Sequence, residues 1–347
     1  MTGELAMGQQ HATRAPLMRA VVLTAAGGPE VLALREVPRP RPGEDEILVR
    51  VRATSLNRAD LLQRQGRYPA PPGAPQDIPG LEFAGEVVEL GARVSAWTAG
   101  DRVFGIVAGG AHAAYVVVHE RAVARVPDTL DWVQAAAVPE AYITAHDALV
   151  AGAALRPEER VLVHAVGSGV GLAVVQLARA LGAVPYGSTR TESKLDRARA
   201  LGLEDGLTVS AELAPLVQRA REWTDGAGVD VVIDLVGGPY VAASVSALGM
   251  RGRMIEVGTV AGREGVLDLA QVLRKRLTIR GTVLRARSLE EKILATRAFA
   301  REVVPLLARG VVRPVVDRVF PLADVAAAHV RLEGNETVGK VVLTVDD

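Results

Sequence analysis

The sequence predicts an α/β chain built as a β-rich domain joined to a doubly wound parallel sheet. Three observations predict it. Residues 18 to about 127 carry short runs of strand character, punctuated by Gly and Pro. After Trp132, strand and helix patterns alternate, as they do where helices cover both faces of a parallel sheet. Between the apolar run Arg160-Val161-Leu162-Val163 and a helical run ending at Gly182 lies a glycine-rich turn, residues 164–173.

Along the chain, residues 1–17 lack periodicity and a long apolar segment, and read as a disordered extension rather than a signal peptide. Strand patterns follow at 19–23, 46–53, 82–90 and 101–105, with a proline-stiffened loop at 68–75. In the second half, strands are expected at 160–166, 183–188, 206–209, 229–236, 252–258 and 277–284. Helices fit between them at 192–201 and 213–224. A helix over 289–309, a strand at 315–320, a helix at 322–332 and a strand at 340–345 are expected to return to the first domain.

Composition narrows the function. Forty basic residues balance forty acidic ones, so nothing electrostatic favours nucleic acid or a membrane surface. Apolar residues make up 49% of the chain, but no apolar run is long and uninterrupted enough to span a bilayer. With no cysteine, disulfides and thiolate metal sites are excluded, and a cytoplasmic location is compatible.

The turn itself predicts a pyrophosphate seat. Backbone N–H groups at a helix N-terminus favour an anion, and glycine lets it come close. Gly167, Ser168, Gly169, Val170 and Gly171 form it, with Leu172 where the usual spacing wants the last glycine. At the end of the second strand an NAD enzyme wants an acid for the ribose 2′-hydroxyl. Here Gly187, Ser188, Arg190 and Lys194 offer donors and positive charge instead, which suits a 2′-phosphate. NADP(H) is therefore expected. Gly258, at a later strand end, falls on the same carboxyl edge of the sheet. His164 is expected to be packed or hydrogen-bonded rather than catalytic, and no pair of histidines has metal-ligand spacing.

Several segments together resemble the medium-chain dehydrogenase/reductase superfamily. They are Ser55-Leu56-Asn57-Arg58-Ala59-Asp60-Leu61, Gln63-Arg64-Gln65-Gly66-Arg67-Tyr68, Pro79-Gly80-Leu81-Glu82-Phe83-Ala84-Gly85, Ala135-Ala136-Ala137-Val138-Pro139-Glu140-Ala141, the glycine turn, and Val338-Gly339-Lys340-Val341-Val342-Leu343. Within it the chain is similar to the zinc-free quinone oxidoreductases related to zeta-crystallin, nearest the tumour-suppressor-inducible branch. The likeness runs from Met18 onward. It implies a GroES-like catalytic domain at 18–140 and 289–347 and a Rossmann NADP-binding domain at 141–288.

The resemblance also implies chemistry. Zinc-dependent relatives carry Cys where Asn57 stands and His where Leu81 stands, and neither replacement is a normal zinc ligand. Without a Lewis acid, the fitting substrates are acceptors already activated for hydride, namely quinones or conjugated carbonyls. Asn57 and Tyr68 are the candidate catalytic residues: Asn57 is implied to lie near the nicotinamide, and Tyr68 to line the nicotinamide or substrate cleft. Leu284 and Arg285 are implied to lie near the cofactor and cleft. Asp60 is expected to fix the Asn57 turn. Relatives often bear Tyr or His for the 2′-phosphate where Val209 stands, so one contact is absent here. The expected activity is NADPH:quinone reduction. The alternatives are 2-enoyl or alkenal reduction and a non-catalytic, crystallin-like NADPH-binding protein. A homodimer or homotetramer is expected, paired across the apolar edge strand at 277–284.

Overall fold

The computed structural model describes residues 16–346. The expected extension therefore lies mostly outside the described residues, and its last member, Leu17, opens the strand Leu17–Leu23. Six parallel strands form one sheet in the spatial order Asp205–Thr208, Val184–Thr189, Arg160–Val163, Val229–Asp234, Leu248–Glu256 and Thr278–Gly281. Numbered along the chain, this is 3-2-1-4-5-6, the doubly wound order. Its central strands are apolar throughout because helices cover both faces: Val161, Leu162 and Val163 are all fully buried. The order reverses beside Arg160–Val163, and ligands of such sheets bind at the carboxyl end of that reversal.

The second large sheet is mainly antiparallel and runs Val316–Pro321, Lys340–Thr344, Glu46–Leu56, Glu82–Leu90, Arg102–Ile106 and Val123–Arg125. Tyr115–His119 pairs with the first half of Glu46–Leu56, and Lys340–Thr344 with its last residues. The late strands thus return to the early sheet, as expected. The helix Pro139–His146 crosses residue 140, where the sequence divides the chain, and continues as a π-helical stretch at Asp147–Gly152.

Two expected elements are corrected. The single helix over 289–309 is two, Leu289–Glu302 and Val304–Ala308. Pro305 has no N–H for the preceding turn and so begins a new helix. The last parallel strand is only Thr278–Gly281, with every residue exposed, and residues 282–285 leave it as a loop.

One buried polar knot ties the parts together. Lys340 Nζ donates to Glu82 Oε1 (2.8 Å), Asn57 Oδ1 (2.5 Å) and the Leu56 carbonyl (3.0 Å). Glu82 Oε1 also accepts from Ser55 Oγ (2.5 Å) and Asn57 Nδ2 (2.8 Å), while Oε2 accepts the Glu140 N–H at 2.8 Å. Both charges are almost wholly withdrawn from water, with side-chain exposures of 6% for Lys340 and 0% for Glu82. Gly339 N–H donates to the Gly167 carbonyl (3.0 Å), so the same strand fastens the glycine turn to the antiparallel sheet.

Three histidines are buried neutral. His164 is held between the hydroxyls of Ser188 (2.8 Å) and Ser244 (2.9 Å), in the hydrogen-bonded role its position suggests. Among the described residues, neither ring nitrogen of His329 has a partner. Burial pushes the pKa values of His112, His164 and His329 down, His329 to about 3. The unfolded chain takes up these protons first, so stability falls as pH drops below about 6.5, by up to about 1.4 kcal/mol per histidine per pH unit. His329→Leu is expected to leave the melting temperature near pH 8 within a few degrees and to flatten its fall between pH 6.5 and 5, as read by thermal melts. Lys340→Met strands the Glu82 carboxylate in the interior. It should cost about 3–5 kcal/mol of stability, visible as a lowered unfolding midpoint in urea.

Candidate active site

Two adjoining cavities open at the carboxyl edge of the parallel sheet, one of about 550 Å³ and one of about 900 Å³. Arg58, Glu140, Thr144, Val257, Gly258 and Asn335 line both, so they mark where the two meet.

The smaller cavity is built on the glycine turn. Ser168 caps the helix Gly169–Ala180, its hydroxyl accepting the Gly171 N–H at 3.0 Å. Gly167, Ser168, Gly169 and Val170 face the cavity, and Gly171 lies beneath them. A Cβ on Gly171 would stand 2.7 Å from the carbonyl oxygens of Ala165 and Val166. Gly171 therefore provides the close helix packing that the usual motif assigns to the next position, where Leu172 is instead a core residue.

Opposite the turn is a cluster of cations. Arg58 donates to Asn335 Oδ1 (2.7 Å), and Lys194 Nζ (2.6 Å) and Arg190 (3.5 Å) to the Asn335 carbonyl. Burial, then the Arg190 charge, lowers the pKa of Arg58, and burial followed by Arg190 and Arg58 lowers that of Lys194. Cations that depress one another are poised for an anion. The sequence found Arg190 and Lys194 but not Arg58, which is brought in by the first helix of the other domain.

Two expected phosphate contacts are corrected. Ser188 is fully buried and its hydroxyl is spent on His164, while Gly187 is a buried strand residue where a Cβ would meet Val166 at 2.9 Å. Neither lines a cavity. Thr189, one residue on, does. Val209 is buried in the core.

The larger cavity holds Tyr68, Leu81, Leu284 and Arg285. Leu284 and Arg285 line only this cavity and not the one at the glycine turn. Arg285 is spent structurally: it donates to the Ala108 carbonyl (2.8 Å), the Tyr68 carbonyl (3.2 Å) and Gln63 Oε1 (2.6 Å). Its guanidinium also lies 5.1 Å from the Tyr68 ring centre. It thereby fixes Tyr68, whose phenol burial pushes above its ordinary pKa. Asn57 lines the smaller cavity, gripped by Lys340 and Glu82, and Asp60 fixes its turn by accepting the Asn57 N–H at 2.7 Å.

Sequence reasoning gave no role to two acids here. Burial pushes Glu140 up to about 8, helped by the Glu82 carboxylate, and pushes Glu256 up to about 8 beside Asp234. Both oxygens of Glu256 are buried without a partner. The available signal was Glu140's place directly after Pro139 at a helix start, but only folding brings Glu82 against it.

Comparison with known proteins places this architecture. Residues 43–128 match the family model described as alcohol dehydrogenase GroES-like domain, and residues 208–343 the one described as zinc-binding dehydrogenase. A quinone oxidoreductase of Lama guanicoe is 33% identical over 336 residues, 96% of this chain and 99% of that protein. Polyketide synthase GfsB of Streptomyces halstedii is 37% identical over 302 residues, 87% of this chain but only 5% of that much longer protein. A mycobacterial structure complexed with NADPH superposes with a TM-score of 0.84 at 29% identity, covering 94% of this chain and 100% of that one. With its GroES-like and Rossmann-like sheets, its joined cavities, and an amide and an aliphatic side chain at Asn57 and Leu81, the chain belongs to the medium-chain dehydrogenase/reductase family of oxidoreductases, in its zinc-free quinone-oxidoreductase-like branch.

Proposed function

We propose that the protein is an NADPH-dependent, zinc-independent quinone reductase. The observation that carries this reading is the cluster of Arg58, Arg190 and Lys194 converging on Asn335 beside the glycine turn, in a cavity that opens into a second, larger one. A dinucleotide fits these residues. The turn offers helix N–H groups to a pyrophosphate, and the cations suit a 2′-phosphate better than a bare ribose hydroxyl. Bound there, the cofactor would supply hydride.

The chain's own residues do the rest. Gly167, Ser168, Gly169 and Val170 seat the pyrophosphate, with Gly171 holding the helix close. Arg58, Arg190 and Lys194 hold the 2′-phosphate. Gly258 lies where the two cavities meet and packs its backbone closely against Leu235. Asn57 acts as a positioning residue, since both ends of its amide are gripped. Tyr68, Leu81 and Leu284 make the acceptor's cleft, with Arg285 bracing Tyr68. At the Asn57 and Leu81 positions no side chain can serve as a metal ligand and polarise an alcohol, so an acceptor that is already electron-poor suits the cleft.

Reduction of a conjugated enal or enoyl compound is the second reading, and the match to a polyketide synthase segment supports it. We also propose that the protein pairs with a second copy through the edge strand Thr278–Gly281. Val266 and Leu273 nearby are each 77% exposed, with Leu269 and Ile279 also open to solvent, and pairing would cover them.

Cofactor titration followed by intrinsic fluorescence should show NADPH binding more tightly than NADH. Arg190→Ala with Lys194→Ala should weaken NADPH about tenfold or more and leave NADH nearly unchanged; a native preference for NADH would overturn the 2′-phosphate assignment. Steady-state assays should show oxidation of NADPH by 1,2- or 1,4-quinones. Turnover of a conjugated enal alone would select the second reading, and binding without turnover of any acceptor would leave a crystallin-like binding protein. Light scattering should return at least twice the 36.5 kDa chain mass, and Leu273→Glu with Ile279→Glu should halve it.

A further inference from the structure

We propose that Glu140 is the catalytic acid of this site, delivering the proton that reduction consumes to the carbonyl oxygen of the acceptor. The proposal rests on the reductase reading above and names a residue in the same site.

Position is the first argument. Glu140 is half-buried and lines both cavities where they meet, beside any contact between a nicotinamide in the smaller cavity and an acceptor in the larger. The helix Pro139–His146 fixes it at its first turn, and its own N–H is clamped to Glu82 Oε2 at 2.8 Å. Its backbone cannot drift, while its side chain faces open space.

The second argument is that neighbouring charges leave Glu140 holding a proton. Glu82 and Asp60 repel its ionised form, whereas Lys340 and Arg285 favour it. Tyr68 and Lys292 face it from the loop at 68 and the helix Leu289–Glu302. Two of the cations that favour ionisation, Lys340 and Arg285, are spent on other partners, and the third, Lys292, makes no ion pair with it among the described residues. The three N–H bonds of the Lys340 ammonium go to Leu56, Asn57 and Glu82, and the guanidinium of Arg285 goes to Ala108, Tyr68 and Gln63. Among the described residues the Glu140 carboxyl has no hydrogen bond or ion pair. Burial beside Glu82 therefore holds it up to about 8, the range in which an acid is both protonated and willing to give the proton up at neutral pH. Tyr68, pushed above its ordinary phenol range, is a poorer donor. Glu256 shares the raised affinity and lines the larger cavity, but both its oxygens are buried.

The step balances. As the acceptor takes up hydride, its carbonyl oxygen gains the negative charge. The Glu140 O–H bond breaks, an O–H bond forms on the acceptor, and the carboxylate left behind is reprotonated from water through the cavity mouth. A quinone becomes its hydroquinone, and a conjugated carbonyl becomes an enol that then tautomerises.

Two measurements test this with the full chain. On Glu256→Gln protein without cofactor, which lacks the other raised carboxyl, infrared difference titration should reveal a protonated carboxyl that ionises near pH 8 and is missing once Glu140→Gln is added. If that band is absent at pH 7, or persists in the variant, the proposal falls. In turnover with a quinone and with a conjugated enal, Glu140→Gln should lower kcat about 100-fold while the NADPH dissociation constant stays within about twofold. The wild-type kcat should decline above about pH 8, and the variant's residual rate should not. Normal turnover and an unchanged pH profile in the variant would overturn the acid and leave the reductase reading standing. No cofactor oxidation by the wild type with any acceptor would overturn both. A melting temperature of the variant within a few degrees of wild type separates lost chemistry from lost folding.

Discussion

The ion pair between Lys340 and Glu82 is the constraint on which the rest of the site depends. A lysine and a glutamate withdrawn from water gain little over an apolar pair of the same size, so such a pair is weak as a source of stability. Its value lies in geometry. Every hydrogen of the ammonium and both oxygens of the carboxylate are used, and their partners come from the strand Glu46–Leu56, the turn before the first helix, and the start of the helix Pro139–His146. Moving any one of these elements breaks a charged contact in a dry interior, where the penalty is large. The mouth of the cavity is held in register by that penalty.

The same knot sets the electrostatics. By absorbing Lys340, Glu82 leaves Glu140 buried beside a carboxylate and without an ion-pair partner among the described residues. On the other side of the junction, Arg58, Arg190 and Lys194 face a single asparagine. The junction of the two cavities thus has a buried carboxyl on one side and a cluster of positive charge on the other.

Much of this was legible in the sequence, and the illegible part has a common cause. The parallel sheet could be read because apolar runs and glycine or proline breaks repeat along Arg160–Gly281, and each of its six strands overlaps an expected one, the last of them much shortened. The glycine turn and the Arg190–Lys194 side could be read for the same reason: they are local. Ser188 was misread because a strand alternates, and one residue decides whether a hydroxyl faces the ligand or His164. Thr189 has the outward position. Residues 282–284 were read as strand because Val283 and Leu284 are apolar, yet Leu284 is buried against the cleft rather than in the sheet. Arg58, Glu82, Glu140 and Lys340 carried little local signal, since their meaning comes from neighbours far along the chain, 58 residues for the Glu82–Glu140 contact and 277 for Arg58–Asn335.

That separation has a consequence for how the protein is made. Glu82 and Lys340 stand 258 residues apart. On the ribosome, the antiparallel sheet begins to emerge first, with a carboxylate in its interior and nothing to balance it. The doubly wound sheet between them contains all its own strands and can close as soon as residue 281 is clear. The part synthesised first is therefore the part completed last, and it waits for a strand supplied only after the other sheet has been built.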